Sequence, residues 1–211
     1  MAVVANKRSV MTLYTSPSDI NGHQVRIVLA EKGVAVDYVL VKHDDALETL
    51  AELNPYGTLP TLVDRDLVLF NTQVIMEYLD ERFPHPPLLP IYPVARARAR
   101  LMMCRIEKEW YRYANIILSD ASSSEEVEQA REELTQSLLA VAKAFGESPY
   151  FLNDDFSLID CMVVPLLWRL EKMKISLSSP KAKPIHAYMK KMFERESFLA
   201  SLTEKEHELR A

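Results

Sequence analysis

A mixed α/β unit followed by an all-α unit is the fold class that the hydrophobic pattern predicts. Through residue 82 the chain alternates short strand-like runs with helical ones, in the order β-α-β-α-β-β-α. Beyond residue 93 only helical patterns remain. Between the two, residues 82–93 (RFPHPPLLPIYP) hold five prolines, which fix φ, remove amide donors and push preceding residues into extended backbone. We therefore expect a first unit over residues 1–82, a proline-rich linker over 83–93 and a helical unit over 94–211.

Residues 9–14 (SVMTLY) form the first expected strand, and the turn-rich SPSD follows. Val25, Val28, Leu29 and Lys32 keep helical spacing over 23–32, with Gly33 where a C-terminal cap belongs. Residues 36–42 read as a second strand, and 46–53 as a short helix stopped by Asn54-Pro55. GTLPTLVD (57–64) enters a strand through Pro60, and 67–70 pairs back on it across Asp64-Arg65-Asp66. Val74, Ile75, Tyr78 and Leu79 make the apolar stripe of a helix over 73–82. Further helices are expected over 94–118, 125–145, 158–172 and 183–195, before a short tail. The serine-rich stretch 119–124 is a helix–helix loop.

Composition excludes several function classes. Hydrophobic content of 48% and charged content of 26% over 211 residues are those of a soluble globular protein. A net charge of −5 argues against direct nucleic-acid binding, which needs clustered cations. The acidity sits in residues 1–82, with seven Lys/Arg against twelve Asp/Glu, and suits a basic protein partner. The start MAVVANKRS lacks the apolar core of a signal peptide, and no apolar run reaches membrane-spanning length. Cys104 and Cys161 form no metal or redox motif and read as buried thiols, which fits a reducing, cytoplasmic setting. The five histidines (23, 43, 85, 186 and 207) lack metal-ligand spacing, so no metal or cofactor is expected. Asp44-Asp45 and Asp154-Asp155 read as solvated turns. Arg96 and Arg100 share a helix face while Arg98 points roughly 160° away. They read as solvated positions, the alternative being contact with an acidic partner or across a dimer. Trp110 and Trp168 read as core aromatics.

Three motifs carry a resemblance. Leu59-Pro60-Thr61 resembles a cis-proline turn, Phe156-Ser157-Leu158-Ile159-Asp160 a capping box with hydrophobic staple, and Val74–Leu79 (VIMEYL) the third helix of a thioredoxin-like unit. In this order they resemble the glutathione-transferase family, which implies a thioredoxin-like N-terminal domain and a helical C-terminal domain. Residues 77–111 and 197–203 are more narrowly similar to the stringent starvation protein A family. That resemblance implies a homodimeric regulator of the starvation and stress response. It would associate with bacterial RNA polymerase holoenzyme and its sigma factor without acting as a glutathione enzyme.

The residue chemistry agrees with a lost enzyme. A glutathione transferase needs a hydroxyl or thiol beside its first helix to stabilise the thiolate. Registering Val25-Arg26-Ile27 on that helix puts Asp19 and Ile20 there; Tyr14, Ser16 and Ser18 supply a donor only in a shifted register. The acid–serine pair that grips the γ-glutamyl end is replaced by Asn71-Thr72, where Thr72 would cap the helix or hold a carboxylate. Leu59, Pro60, Asn71 and Thr72 then outline a vestigial glutathione groove, and no catalytic residue is assigned. The alternatives are a glutathione-dependent transferase or reductase with an atypical turn, and a non-catalytic sensor using the groove near Thr72.

That leaves the linker as a stiff, polyproline-like strap. It is either a spacer or a recognition surface whose rigidity lowers the entropic cost of binding. Pro84 and Pro86 should present His85 outward. The resemblance assigns Pro84, His85 and Pro86 to the polymerase-facing surface. Physical chemistry adds Phe83, Pro87 and Tyr92 as exposed apolar contacts, with Arg65 of the hairpin turn as a further candidate.

Overall fold

The computed structural model describes residues 11–42 and 45–210. Strand positions 9–10, His43 and Asp44 lie outside them. Strand β1 (Thr12–Thr15) runs parallel to β2 (Asp37–Leu40) and antiparallel to β3 (Thr61–Asp64), which pairs with β4 (Leu67–Leu69). The sheet order is β2-β1-β3-β4. All of β2 is exposed, because it is an edge strand. In the hairpin turn Arg65 takes a left-handed φ of 60°.

Helix α1 (Ile20–Lys32) begins three residues before the expected start at His23, because Asp19 caps it, and ends at Gly33 with φ 62°. Helix α2 spans only Ala46–Thr49, and Leu50 tucks back into a small cluster with Val41, Ala46 and Leu59. Helix α3 (Thr72–Arg82) ends at the strap, and α4 (Pro93–Ile106) starts on a proline. The expected long helix continues through a π turn (Glu107–Tyr111) into α5 (Arg112–Leu118). The wider turn seats Trp110 and Tyr111 in the core, where Tyr111 donates to the Met162 carbonyl at 2.8 Å.

Helices α6 (Ser124–Ala140), α7 (Leu158–Trp168) and α8 (Lys183–Phe193) follow, then α9 (Glu196–Ser201) and α10 (Glu204–His207) in the tail. The α7 capping box forms, with the Ser157 amide donating to Asp160 at 2.9 Å. Buried leucines such as Leu158, Leu166 and Leu167 each contribute on the order of 1.5–3 kcal/mol. One apolar core runs from Leu13, Val28 and Ile75 in the mixed unit to Met103, Leu138 and Val163 in the helical one. Cys161 is buried as expected; Cys104 is only half-buried. Trp110 is a core residue, whereas Trp168 lies partly at the surface.

Candidate functional site

Two places compete for function: the turn that opens α1, and the strap. At the turn, the Asp19 carboxylate accepts from the amides of Asn21 at 3.1 Å and Gly22 at 2.8 Å. The first amides of a helix would otherwise meet an anion; here the chain's own carboxylate takes two of them. Gly22 is required, since a Cβ there would fall 2.0 Å from Thr15 Oγ1. Ser16 is buried, and the Ser18 carbonyl accepts from Arg169 Nη2 at 3.2 Å.

The residues expected to outline the glutathione groove have separate surroundings among the described residues. Leu59–Pro60 is a cis bond, as the motif implies. Asn71, not Thr72, caps α3, its Oδ1 accepting from the Val74 amide at 3.1 Å. Asn71 also lines a cavity of about 500 Å³ with Leu69, Gln73, Glu77 and Arg100. Leu59, Pro60 and Thr72 are not among its walls.

Pro84, His85, Pro86 and Pro87 are all exposed. Phe83 is the exception among the expected contacts: it is half-buried, packs on the core, and lies under the Arg82 guanidinium at 5.4 Å. The strap is also no continuous polyproline helix, since it bends repeatedly and His85–Pro86 is cis. Its shape is set from below. Leu88 and Leu89 are buried anchors. The Leu88 amide donates to Asp80 at 2.8 Å, and its carbonyl accepts from Leu158 at 2.9 Å. Lys32 Nζ donates both to Asp80 and to the Pro86 carbonyl. Those bonds hold the backbone and leave the Pro84–Pro87 side chains to solvent.

The other expected contacts separate. Exposed Arg65 follows Asp64, which accepts from Tyr78 at 2.6 Å and faces Arg82 Nε at 3.8 Å, so the hairpin turn borders the strap's entry. Tyr92 is 79% exposed and walls a cavity of about 430 Å³ with Pro90, Val94, Arg98, Met102 and Leu152, without Pro84–Pro87. Arg96 and Arg100 find intramolecular carboxylates, Arg100 meeting Glu77 at 2.6 Å and Arg96 meeting Glu81 at 4.0 Å. They remain solvent-facing positions, as expected, and form surface pairs.

Sequence reasoning missed a buried polar cluster where α1, the end of α7 and the tail meet. Arg26 Nη2 donates to both Glu206 oxygens at 2.7 Å, and Arg169 Nη2 to Glu206 Oε1. Arg169 Nη1 donates to His23 Nδ1 at 3.0 Å, which leaves Nε2–H for Ser201 Oγ at 3.0 Å. Burial, then the charges of Arg169 and Arg26, hold the His23 imidazole well below its ordinary range, so it is neutral. Its 3.5 Å approach to Glu206 is therefore a contact rather than an ion pair. Arginines set in apolar runs (VRIVL and LLWRL) were the signal, because such residues are seldom fully buried unless paired. Among the described residues no group of histidine, cysteine and carboxylate could hold a metal, and no helix is long and apolar enough to cross a membrane.

Residues 9–81 match the family model for the glutathione S-transferase N-terminal domain, and residues 101–196 that for its C-terminal domain. A stringent starvation protein A homolog of Coxiella burnetii is 58% identical over 204 residues, covering 97% of each chain. The homolog of Pasteurella multocida is 54% identical, covering 96% of this chain and 94% of its own. Among solved structures, a glutathione transferase of Methylococcus capsulatus superposes with a TM-score of 0.83 at 26% identity, covering 94% of this chain and 99% of its own. The bacterial transferase BphK gives 0.82 at 25%, covering 93% and 99%.

Proposed function

Since the chain belongs to the stringent starvation protein A family, built on the glutathione-transferase fold, we propose that it is a non-catalytic adaptor of the starvation response. It docks on bacterial RNA polymerase holoenzyme and its sigma factor through Pro84, His85 and Pro86, with Pro87 at the edge. In this reading residues 1–82 and 94–211 are the scaffold and 83–93 the working surface. The protein acts as a cytoplasmic homodimer offering one strap per subunit, without gripping DNA.

One observation carries the reading: four consecutive side chains are exposed on a backbone pinned by Lys32, Asp80 and Leu158. A pinned loop loses little conformational freedom on binding, so its contacts convert more fully into affinity. The α1 turn supports the same conclusion, because Asp19 fills the place of a thiolate-stabilising group and would repel a thiolate. Tyr92 and Arg65 stay as secondary contacts, whereas half-buried Phe83 supports the strap from beneath.

The test is capture from a bacterial lysate by tagged polymerase. Replacing Pro84, His85 and Pro86 with alanine should abolish capture while helicity and oligomeric size stay unchanged. Undiminished capture overturns the proposal. The glutathione-dependent alternative draws on the matched transferase domains. It predicts retention on immobilised glutathione and turnover of an electrophile or mixed disulfide.

A further inference from the structure

We propose that residues 195–210 form a clasp on α1 that sets the geometry of the strap, with Glu206 as its pin. The tail grips α1 at two levels. Near the start of the helix, His23 meets Ser201 Oγ, Arg26 Nε donates to the Ser201 carbonyl at 2.9 Å, and Arg26 Nη2 meets Glu206. At its last turn, Arg195 donates through Nε and Nη2 to the Glu31 oxygens at 2.6 and 2.9 Å, and Ser197 Oγ donates to Glu31 as well. The next residue is Lys32, the strap's anchor. One helical turn therefore carries the tail's hold and the strap's hold at adjacent positions.

The tail is also built to open. Phe198 is buried against His23, Trp168 and Phe193, but past it the chain crosses between two open cavities of about 480 and 610 Å³, with Ala200 in the wall of both. Residues 200–205 wall the larger of these cavities, and apart from Leu202, which packs on the core, polar pins hold the segment beyond Phe198. The most deeply buried of these is Glu206, held between Arg26 and Arg169 and tied by its carbonyl to Trp168 Nε1 at 2.9 Å, while beyond it Arg210 pairs with Glu171 and lies over Trp168 and Phe193. A short terminal segment held this way opens as a local unit rather than with the whole fold. Without the Glu206 charge, two buried guanidiniums lose their counter-ion and the docked state loses its advantage. Where that opening spreads back past Phe198, Glu31 loses Arg195 and Ser197, the last turn of α1 is free to shift and the hold of Lys32 on Pro86 and Asp80 loosens.

Amide hydrogen exchange on the full chain tests this without any partner, so its failure leaves the role proposed for the strap standing. Wild type is compared with Glu206→Gln and Glu206→Ala, and Lys32→Met serves as a positive control for a loosened strap. In Glu206→Ala, exchange across 196–210 should rise about tenfold or more, and the Leu88 amide should rise with it while 158–168 stays protected. Glu206→Gln should show the same pattern to a smaller degree. Tail amides that open while Leu88 exchanges as in wild type overturn the proposal. So does a tail left closed by both substitutions. If Glu206→Ala loses protection throughout, the comparison in Glu206→Gln decides; global loss in both makes the tail part of the core fold and also overturns it.

Discussion

Lys32 Nζ lies 2.6 Å from Asp80 Oδ1, and both side chains are withdrawn from water. Asp80 also accepts from the Leu88 amide and Lys32 donates to the Pro86 carbonyl, so this pair ties the end of one helix to the shape of the exposed strap.

Breaking that pair should be costly. Asp80→Ala leaves a buried ammonium and the Leu88 amide without their acceptor, and we expect about 3–5 kcal/mol of destabilisation by urea unfolding. Lys32→Met with Asp80→Leu should recover only part of this, since the Leu88 amide stays unsatisfied. Full recovery would show that the amide bond contributes nothing.

His23 makes stability depend on pH. Its imidazole is enclosed by Arg169, Arg26, Glu206 and Ser201, and is held well below the ordinary value of 6.5, by burial first and by the two arginines next. Below about pH 6.5 the unfolded chain takes up a proton there that the folded chain refuses, so the unfolded state binds more protons. The stabilisation is thus fully present above that pH and is lost as pH falls, at most by about 1.4 kcal/mol per unit. Between pH 7.5 and 5.5, wild type should lose more stability than His23→Gln. Equal losses would refute a neutral His23.

Asp19 acts as a helix cap in this structure. Asp19→Ala should cost about 1–2 kcal/mol, and Asp19→Ser should retain most of the capping. Both are read from denaturation midpoints at constant m-value. A thiolate-stabilising turn restored by Asp19→Ser would show itself as new retention on glutathione resin; with Asn71 in the second position we expect none.

Asp160 is a hub, accepting from the amides of Phe151 and Ser157, from Ser157 Oγ, and from Tyr188 OH at 2.7 Å. Burial raises its carboxyl above the ordinary range in spite of these donors. Asp160→Ala strips all four and should cost about 3 kcal/mol or more, whereas Tyr188→Phe should cost about 1.5–3 kcal/mol. The double variant should cost less than the sum, because the two share one bond.

Local signals were legible where neighbours in sequence determine the outcome. Gly33 ends α1, Pro60 leads into β3, Ser157 and Asp160 open α7, and the exposure of Pro84–Pro87 follows from composition and spacing. Errors fell where distant segments decide. The stop of α2 at Thr49 depends on Leu50 finding Val41 and Leu59. Phe83 looked like a surface aromatic until the core beneath it was in place. The surface partners of Arg96 and Arg100 went unforeseen because Glu81 and Glu77 belong to another helix.

By itself the sequence determined the order of elements, which rests on short-range periodicity, backbone restriction at proline and capping, all of which act within a few residues; the family was read from the resemblance of its motifs. Only the tertiary structure decided what holds the strap and what fills the space beside α1. Lys32 and Asp80 are 48 residues apart in sequence, and Arg26 and Glu206 are 180 apart. Charges this distant pair only after the apolar core has brought their helices together, since burying each alone would cost more than folding returns.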